Sequence, residues 1–384
     1  MSTDSAHGEA NSSLPSRLRS RFEGPNTIGD SRGFWVGFLV AVAALAVYPL
    51  FGDGSQLSLF MVLALLGLSL SVVWGYSGVL SFGQVVFFGI GAYTFGVVSI
   101  NFATPGGITA AVIAGIVGGG VSAAILGYFM FYGGVRDVYV TIITLVSTIV
   151  LHTFMAQTAG SEWAIGEAAL GGFNGMPDIP LLTLGVGGAS YQFIYNPFPM
   201  RIIGIGAVEI SPFYYLVLAL LVGAYLGLRA LVNSDYGRVM VAVREDEDRT
   251  EMFGYNVTRV KFVVFTLGGA LAGLSGVLYA ARNVYIDPTV FSLLFATLPV
   301  IWVSLGGRKS LLGAVVATLG VEYLRISMAG ELALVLLGSL LLVTILVLPG
   351  GFVPWVHQRI VEARLGPGEA GGADAPDASS EVSD

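Results

Sequence analysis

The residues able to do acid–base, nucleophilic or metal chemistry are few in this chain. There is no cysteine, and the three histidines are His7, His152 and His357. No disulfide framework, thiolate nucleophile or Cys/His metal site can be assembled from that set. The run Gly306-Gly307-Arg308-Lys309-Ser310 has Arg where the second glycine of a phosphate loop must stand, so ATP is not bound through that motif. The apolar stretches also lack the series of carboxylates that couples protons or sodium in pumps. Chemistry, and the energy for it, must come from elsewhere, or the protein is passive.

One block breaks this poverty. Residues 233–261, NSDYGRVMVAVREDEDRTEMFGYNVTRVK, are the densest concentration of charge. Within it 242–254, AVREDEDRTEMFG, predicts a short helix ending at Gly254 as C-cap. Such a helix presents Arg, Glu and Asp to solvent and could insert in a groove of a soluble partner; on composition alone it reads equally as a solvated loop. The other polar residues sit within apolar stretches. The cluster 74–93, with Gly75, Tyr76, Ser77, Gly78, Ser81, Gly83, Gln84, Gly89, Gly91 and Tyr93, suggests an interrupted helix. Its free backbone groups would be tolerated only inside protein or beside a water-filled cavity. Tyr139, Thr141, Thr144, Ser147, Thr148 and His152 recur mostly three or four apart, so several share one helical face. They serve interhelical hydrogen bonds or line a path for a polar solute. Glu322 and Arg325, at i and i+3, read as a structural ion pair.

The elements that must position these residues are transmembrane helices. Of 384 residues 55% are hydrophobic and 11% charged, against about 25% charged in soluble domains, and the mean hydropathy is +0.80. An ordinary soluble enzyme is excluded. Apolar stretches near 34–51, 57–76, 79–100, 108–132, 138–157, 213–232, 262–282, 291–305, 311–328 and 332–350 predict an all-α polytopic membrane protein of about ten transmembrane helices, since about 20 residues cross a bilayer. The stretch 79–100 is glycine-rich enough to be partly re-entrant. With the N-terminus inside, fifteen of eighteen Lys and Arg fall on inside segments, which predicts cytoplasmic termini. Residues 1–33 and 353–384 read as disordered, the latter acidic. The 34–352 membrane domain carries an outer region at 158–212, with Gly171-Gly172-Phe173-Asn174-Gly175, and the inside loop at 233–261. The pattern Gly-x-Ser-Gly-Val-Leu occurs at 75–80 and 273–278, spaced as a five-plus-five repeat would place it, or by coincidence in a chain with 53 glycines.

Three ordered stretches carry a resemblance. GRVMVAVREDEDRTEMFGYNVTRVKFVVFTLGGALAGLSGVLYA closely resembles the signature of permease subunits of ABC importers for branched-chain amino acids and their urea-transporting relatives. WGYSGVLSFGQVVFFGIGAY and DVYVTIITL are similar to earlier motifs of that family, and the resemblance covers about 34–352. It implies a non-enzymatic subunit in the cell membrane that pairs with a second homologous permease, two cytoplasmic ATPase subunits and an extracytoplasmic solute-binding protein. It implies no cofactor on this chain, with ATP and Mg bound by the partner subunits, and no nucleic acid. Arg244, Glu245, Asp246, Glu251 and Gly254 carry over as the ATPase-coupling element, although Asp248-Arg249-Thr250 replaces small apolar residues usual there. Gly75, Tyr76, Gly78, Ser81, Gln84, Gly91, Tyr93, Tyr139, Thr141 and Thr144 are expected to line the translocation pathway, with Gln84 where many members have His. Asn174 and Gly175 are expected in the outer loop. The run Val300–Arg308 and the segment Gly172-Phe173-Asn174-Gly175 look more like the urea type, which leans the expected solute toward urea or a related amide over a branched-chain amino acid. A secondary transporter or channel acting alone is the alternative from another class.

Overall fold

The computed structural model describes residues 32–52, 54–135, 138–186, 189–193, 198–202 and 206–328, with a few residues on either side. Helix α1 (Arg32–Val47) continues into a 3-10 turn, α2 (Gly54–Leu70) into a π-helical turn (Ser71–Tyr76), and α3 (Gln84–Asn101) precedes α4 (Pro105–Gly127), which also ends in a π turn. There follow α5 (Val138–Ala156), α6 (Pro212–Val232), the short α7 (Asp235–Glu245) and α8 (Glu247–Met252), then α9 (Val257–Asn283), α10 (Leu293–Gly306) and α11 (Leu311–Ser327). Among the described residues seven helices are long and apolar enough to cross a membrane, and Leu293–Gly306 is a shorter apolar helix. These agree with the predicted stretches to within a few residues, except that α3 begins at Gln84 and 78–83 is not helical. The predicted span 332–350 and the tail 353–384 lie almost wholly outside the described residues, as does most of 1–33.

Helix ends follow the local sequence. Thr104 caps α4 ahead of Pro105, and Asn256, Ser292 and Ser310 cap α9, α10 and α11, each accepting a backbone N–H with its side-chain oxygen. That satisfies one of the donors a helix start leaves unpaired. Helix α2 is apolar on every face, as its uninterrupted burial from Phe60 to Leu70 demands. It forms the axis of the bundle, packed by α6, α9, α10 and α11. Beside it α3, α4 and α9 meet through glycines: a Cβ on Gly91 would lie 2.6 Å from the Gly273 Cα, and one on Gly119 2.7 Å from the same atom. Without hydrophobic pressure between helices in lipid, such close approach is what packs them. Helices α1 and α5 are the least enclosed of the long helices.

The two copies of Gly-x-Ser-Gly-Val-Leu do not occupy matching places. The first runs from the π-helical turn after α2 into the irregular segment, and the second lies inside α9. Two ends of the bundle can be distinguished. The charged end holds α7, α8 and the 307–310 turn. The opposite end is covered by 158–186, with the short hairpins β1 (Ala164–Ile165) with β2 (Ala168–Ala169) and β3 (Thr183–Val186) with β4 (Ala189–Gln192). A third hairpin joins β5 (Phe198–Ile202) to β6 (Gly206–Ile210). At the charged end a strap from the N-terminal side sits on α6. Arg229 Nε donates to the Phe22 carbonyl (2.6 Å), Asn26 Nδ2 to the Val232 carbonyl (3.0 Å) and Asn233 Nδ2 to Thr27 Oγ1 (2.9 Å). The buried Arg229 guanidinium also lies over Phe34 and Trp35, 4.6 and 5.2 Å from their ring centroids.

Candidate functional site

The charged block folds as two helices, not the single one predicted over 242–254. Ser234 caps α7 by accepting from the Gly237 N–H (3.2 Å), and Met240 and Val243 are buried against the bundle. At Asp246 the backbone turns extended (φ −159°) and the carboxylate caps α8 by accepting from the Arg249 N–H (2.9 Å). An aspartate is so good an N-cap that starting a new helix competes with extending the old one. Asp246 is thereby a structural joint. Lys261, buried in the first turn of α9, pairs with Glu247 at the start of α8, which fastens the loop to the bundle. Gly254 (φ +86°) ends α8. Asp248, Arg249 and Glu251 face solvent, and beside them project Met252 (87% exposed), Phe253 (76%) and Tyr255 (52%).

Arg244 turns the other way. Its Nη1 donates to the Gly75 carbonyl (2.6 Å) while Nη2 pairs with Glu245 Oε1 (2.5 Å), which also accepts from Lys309 Nζ (3.3 Å). Tyr76 donates from its hydroxyl to the Lys309 carbonyl (3.1 Å). Gly75 stands in the π-helical turn that follows α2, where a helix end leaves carbonyls without a helical partner and favours a cation. A Cβ on Gly75 would fall 1.9 Å from the Arg308 carbonyl oxygen, and Gly78 (φ +79°) sits beside the Arg244 side chain. Glu245 is held below the usual carboxylate range by the hydrogen bond from Arg244, then by the charges of Arg244 and Lys309.

The irregular segment 78–83 is completed from α5. Thr141 Oγ1 donates to the Leu80 carbonyl (3.1 Å), and Thr144 Oγ1 accepts from the Phe82 N–H (3.2 Å) and donates to the Thr141 carbonyl (3.0 Å). Ser81 Oγ accepts from the Gly83 N–H (3.0 Å), and Gln84 Oε1 from Ser69 Oγ (3.2 Å). Gln84 Nε2 is buried with no hydrogen-bond partner among the described residues. The threonine stripe therefore supplies hydrogen bonds to a broken backbone. Away from this contact α5 is loosely seated: a groove of about 530 Å³ lined by Val86, Ile90, Ser122, Ile143, Val146 and Ser147, among others, separates it from α3 and α4.

Gly75, Tyr76, Gly78, Ser81, Thr141 and Thr144 thus join Arg244 and Glu245 in one network, with Gln84 at its edge. Tyr139, 70% exposed, is outside it. Gly91 belongs to the glycine contact of α3 with α4 and α9, and the Tyr93 ring stacks on Phe291 at 6.0 Å. Asn174 and Gly175 are at the opposite end, where Tyr285 donates its hydroxyl to the Asn174 carbonyl (2.6 Å) and Met176 bridges to Ile286. Glu322 and Arg325 form the expected ion pair (2.7 Å), with Trp302 buried in the same layer. Sequence reasoning missed Lys261 and the Met252, Phe253, Tyr255 trio; large apolar residues directly after REDEDRTE were the available signal. Among the described residues no group of three His, Asp or Glu side chains is placed to hold a metal ion.

The model of the "Branched-chain amino acid transport system / permease component" family matches residues 55–348. Two relatives named as the high-affinity branched-chain amino acid transport system permease protein LivM are similar over most of the chain. That of Salmonella typhimurium is 29% identical over 355 residues, 88% of this chain and 79% of the relative. The Escherichia coli protein is 29% identical over 339 residues, covering 84% and 76%. A probable LivM of Methanocaldococcus jannaschii is 31% identical over 108 residues, 28% and 31% of the two chains. No solved structure matches. The chain therefore belongs to the family of branched-chain amino acid transport permease components, a multi-pass membrane transport protein and not an enzyme.

Proposed function

We propose that this chain is the membrane subunit of an importer driven by ATP hydrolysis on two cytoplasmic partner subunits. It would work beside a second homologous permease and an extracytoplasmic solute-binding protein, with both termini of this chain in the cytoplasm. ATP and Mg would be held by the partner subunits. The observation that carries the reading is the exposed trio Met252, Phe253 and Tyr255 at the tip of a charged, firmly anchored double helix. Aromatic and Met side chains ringed by charge are what a protein-docking centre looks like. Exposed apolar groups of that size are not otherwise expected on a polar projection.

The solute we favour is a branched-chain amino acid, supported by the names of the two long relatives. The urea reading rests on two short runs, and in one of them Trp302 is fully buried against α11 rather than facing open space. A zwitterion needs weak polar contacts and no fixed counter-ion, in keeping with the sparse charge of the spans. The test is uptake of labelled leucine and labelled urea in cells carrying the parent or Phe253→Ala. Parent-dependent leucine uptake that falls at least about tenfold in the variant, the scale of a docking hot spot, supports the reading. Solute flux by the isolated chain in liposomes would replace it with a stand-alone transporter.

A further inference from the structure

We propose that residues 78–83 act as a mechanical linkage, with Arg244 as the positioning residue at its input, Thr144 at its output, and α5 as the helix that it moves. The inference rests on the reading of α7 and α8 as the docking site and goes beyond it by naming what the docked partner shifts. A movement of α7 cannot leave Gly75 behind, because Arg244 holds its carbonyl at 2.6 Å and packs on Gly78. The segment that follows is bonded to the preceding turn at its start, Gly78 N–H to the Trp74 carbonyl (3.2 Å) and Val79 N–H to the Val73 carbonyl (3.3 Å), but among the described residues 80–82 have no backbone–backbone bond to absorb that movement. Its Leu80 carbonyl and Phe82 N–H are instead tied to Thr141 and Thr144. At the far end stands a helix with room around it: α5 is among the least enclosed of the long helices, and the groove of about 530 Å³ lies between it and α3 and α4. Helices α3, α4 and α9 are locked together by glycine contacts closer than any side chain allows. A rigid bundle, an irregular connector and a loosely seated helix make a contiguous element with two ends, which is the physical requirement for transmitting a conformational change.

The chain has no cysteine, so introduced cysteines report without background. Spin labels at Val150→Cys on α5 and Leu267→Cys on α9 measure movement of α5 against the bundle; labels at Asp235→Cys, exposed at the start of α7 and away from the docking tip, and Leu267→Cys measure α7. Both residues paired with Leu267 are exposed, and Leu267 is itself accessible. The experiment uses the transporter assembled with its ATPase subunits in lipid nanodiscs, with and without ATP and vanadate. In the parent both distances should change. Thr144→Val keeps the side-chain shape and removes the hydroxyl. With Thr141 still tied to the Leu80 carbonyl, it should reduce the change at α5, leave that at α7 and the ATPase turnover, and lower uptake about fivefold or more, the lower range of coupling between sites. Thr144→Ser should restore all of it, and Thr141→Val serves if Thr144→Val does not assemble. A Thr144→Val protein with an unaltered α5 response and normal uptake overturns the linkage. If neither pair responds in the parent, the docking reading falls and the linkage with it.

Discussion

The same six-residue pattern is folded in two ways within this one chain. At 75–80 it unwinds: Ser77 donates back to the Val73 carbonyl (2.6 Å), Gly78 takes φ +79° and Gly75 exposes its carbonyl to Arg244. At 273–278 it stays helical: Ser275 donates across to the Val62 carbonyl of α2 (2.7 Å), while Gly273 and Gly276 let α4 and α3 touch the α9 backbone. Glycine permits both outcomes. What decides between them is the neighbour, a guanidinium and a turn carbonyl in one case and two helix backbones in the other. The first copy is built to be held at a few polar points and the second to be filled on all sides, so substitutions should separate them.

The largest effect is expected at the second copy. A Cβ on Gly276 would lie 1.9 Å from the Phe88 carbonyl oxygen, backbone that α3 cannot withdraw without parting from α4 and α9. Gly276→Ala should destabilise the bundle by about 1–3 kcal/mol, the usual cost of overpacking, read as a lowered Tm in detergent. A stable Gly276→Ala protein would erase the distinction between the copies. Gly75→Ala meets a turn carbonyl at the same distance, but that carbonyl belongs to Arg308, exposed with Lys309 at the surface of the turn. The prediction is a smaller loss, about 1 kcal/mol, with uptake falling more steeply than stability because Gly75 is where Arg244 grips.

The smallest effect is electrostatic and sharpens the polar side of the comparison. Glu245 has its folded carboxyl pKa lowered by Arg244 and Lys309. A lowered pKa contributes stability above the unfolded value, about 4.3 for Glu, and that contribution is lost as pH falls through the folded value. The difference in Tm between the parent and Glu245→Gln should therefore be constant above about pH 5 and shrink toward zero below about pH 4. The side chain is exposed, so the difference is small at any pH. A difference that grows on acidification would show that the ties from Arg244 and Lys309 do not stabilise the folded chain.

The spans were legible because membrane helices announce themselves by length and apolarity, and the described helices follow the apolar stretches from 34–51 to 311–328. The charged block stood out for the opposite reason, polarity where little else is polar. The break at Asp246 was not, because helix propensity over 242–254 is uniform and the competing cap acts through one hydrogen bond. The threonine periodicity on α5 was visible, but its target, a backbone 61 and 62 residues away, is not encoded locally. The same holds for the Arg244 grip on Gly75 across 169 positions. Pathway membership read from glycine and tyrosine identity alone joined residues that the fold separates: Gly91 and Tyr93 pack, and Tyr139 faces outward.

The strap over α6 bears on how the chain is made. Helix α1 reaches the membrane early in synthesis, yet the residue that clasps its aromatic face, Arg229, is translated about two hundred positions later, 207 after Phe22. Closing so long a loop is entropically inexpensive per added residue but must wait for its second end. Until α6 is threaded, α1 lies among lipids with little protein to hold it. The bundle is thus fastened at its start only when its second half arrives, so truncation after α5 should leave the first helix the easiest to lose.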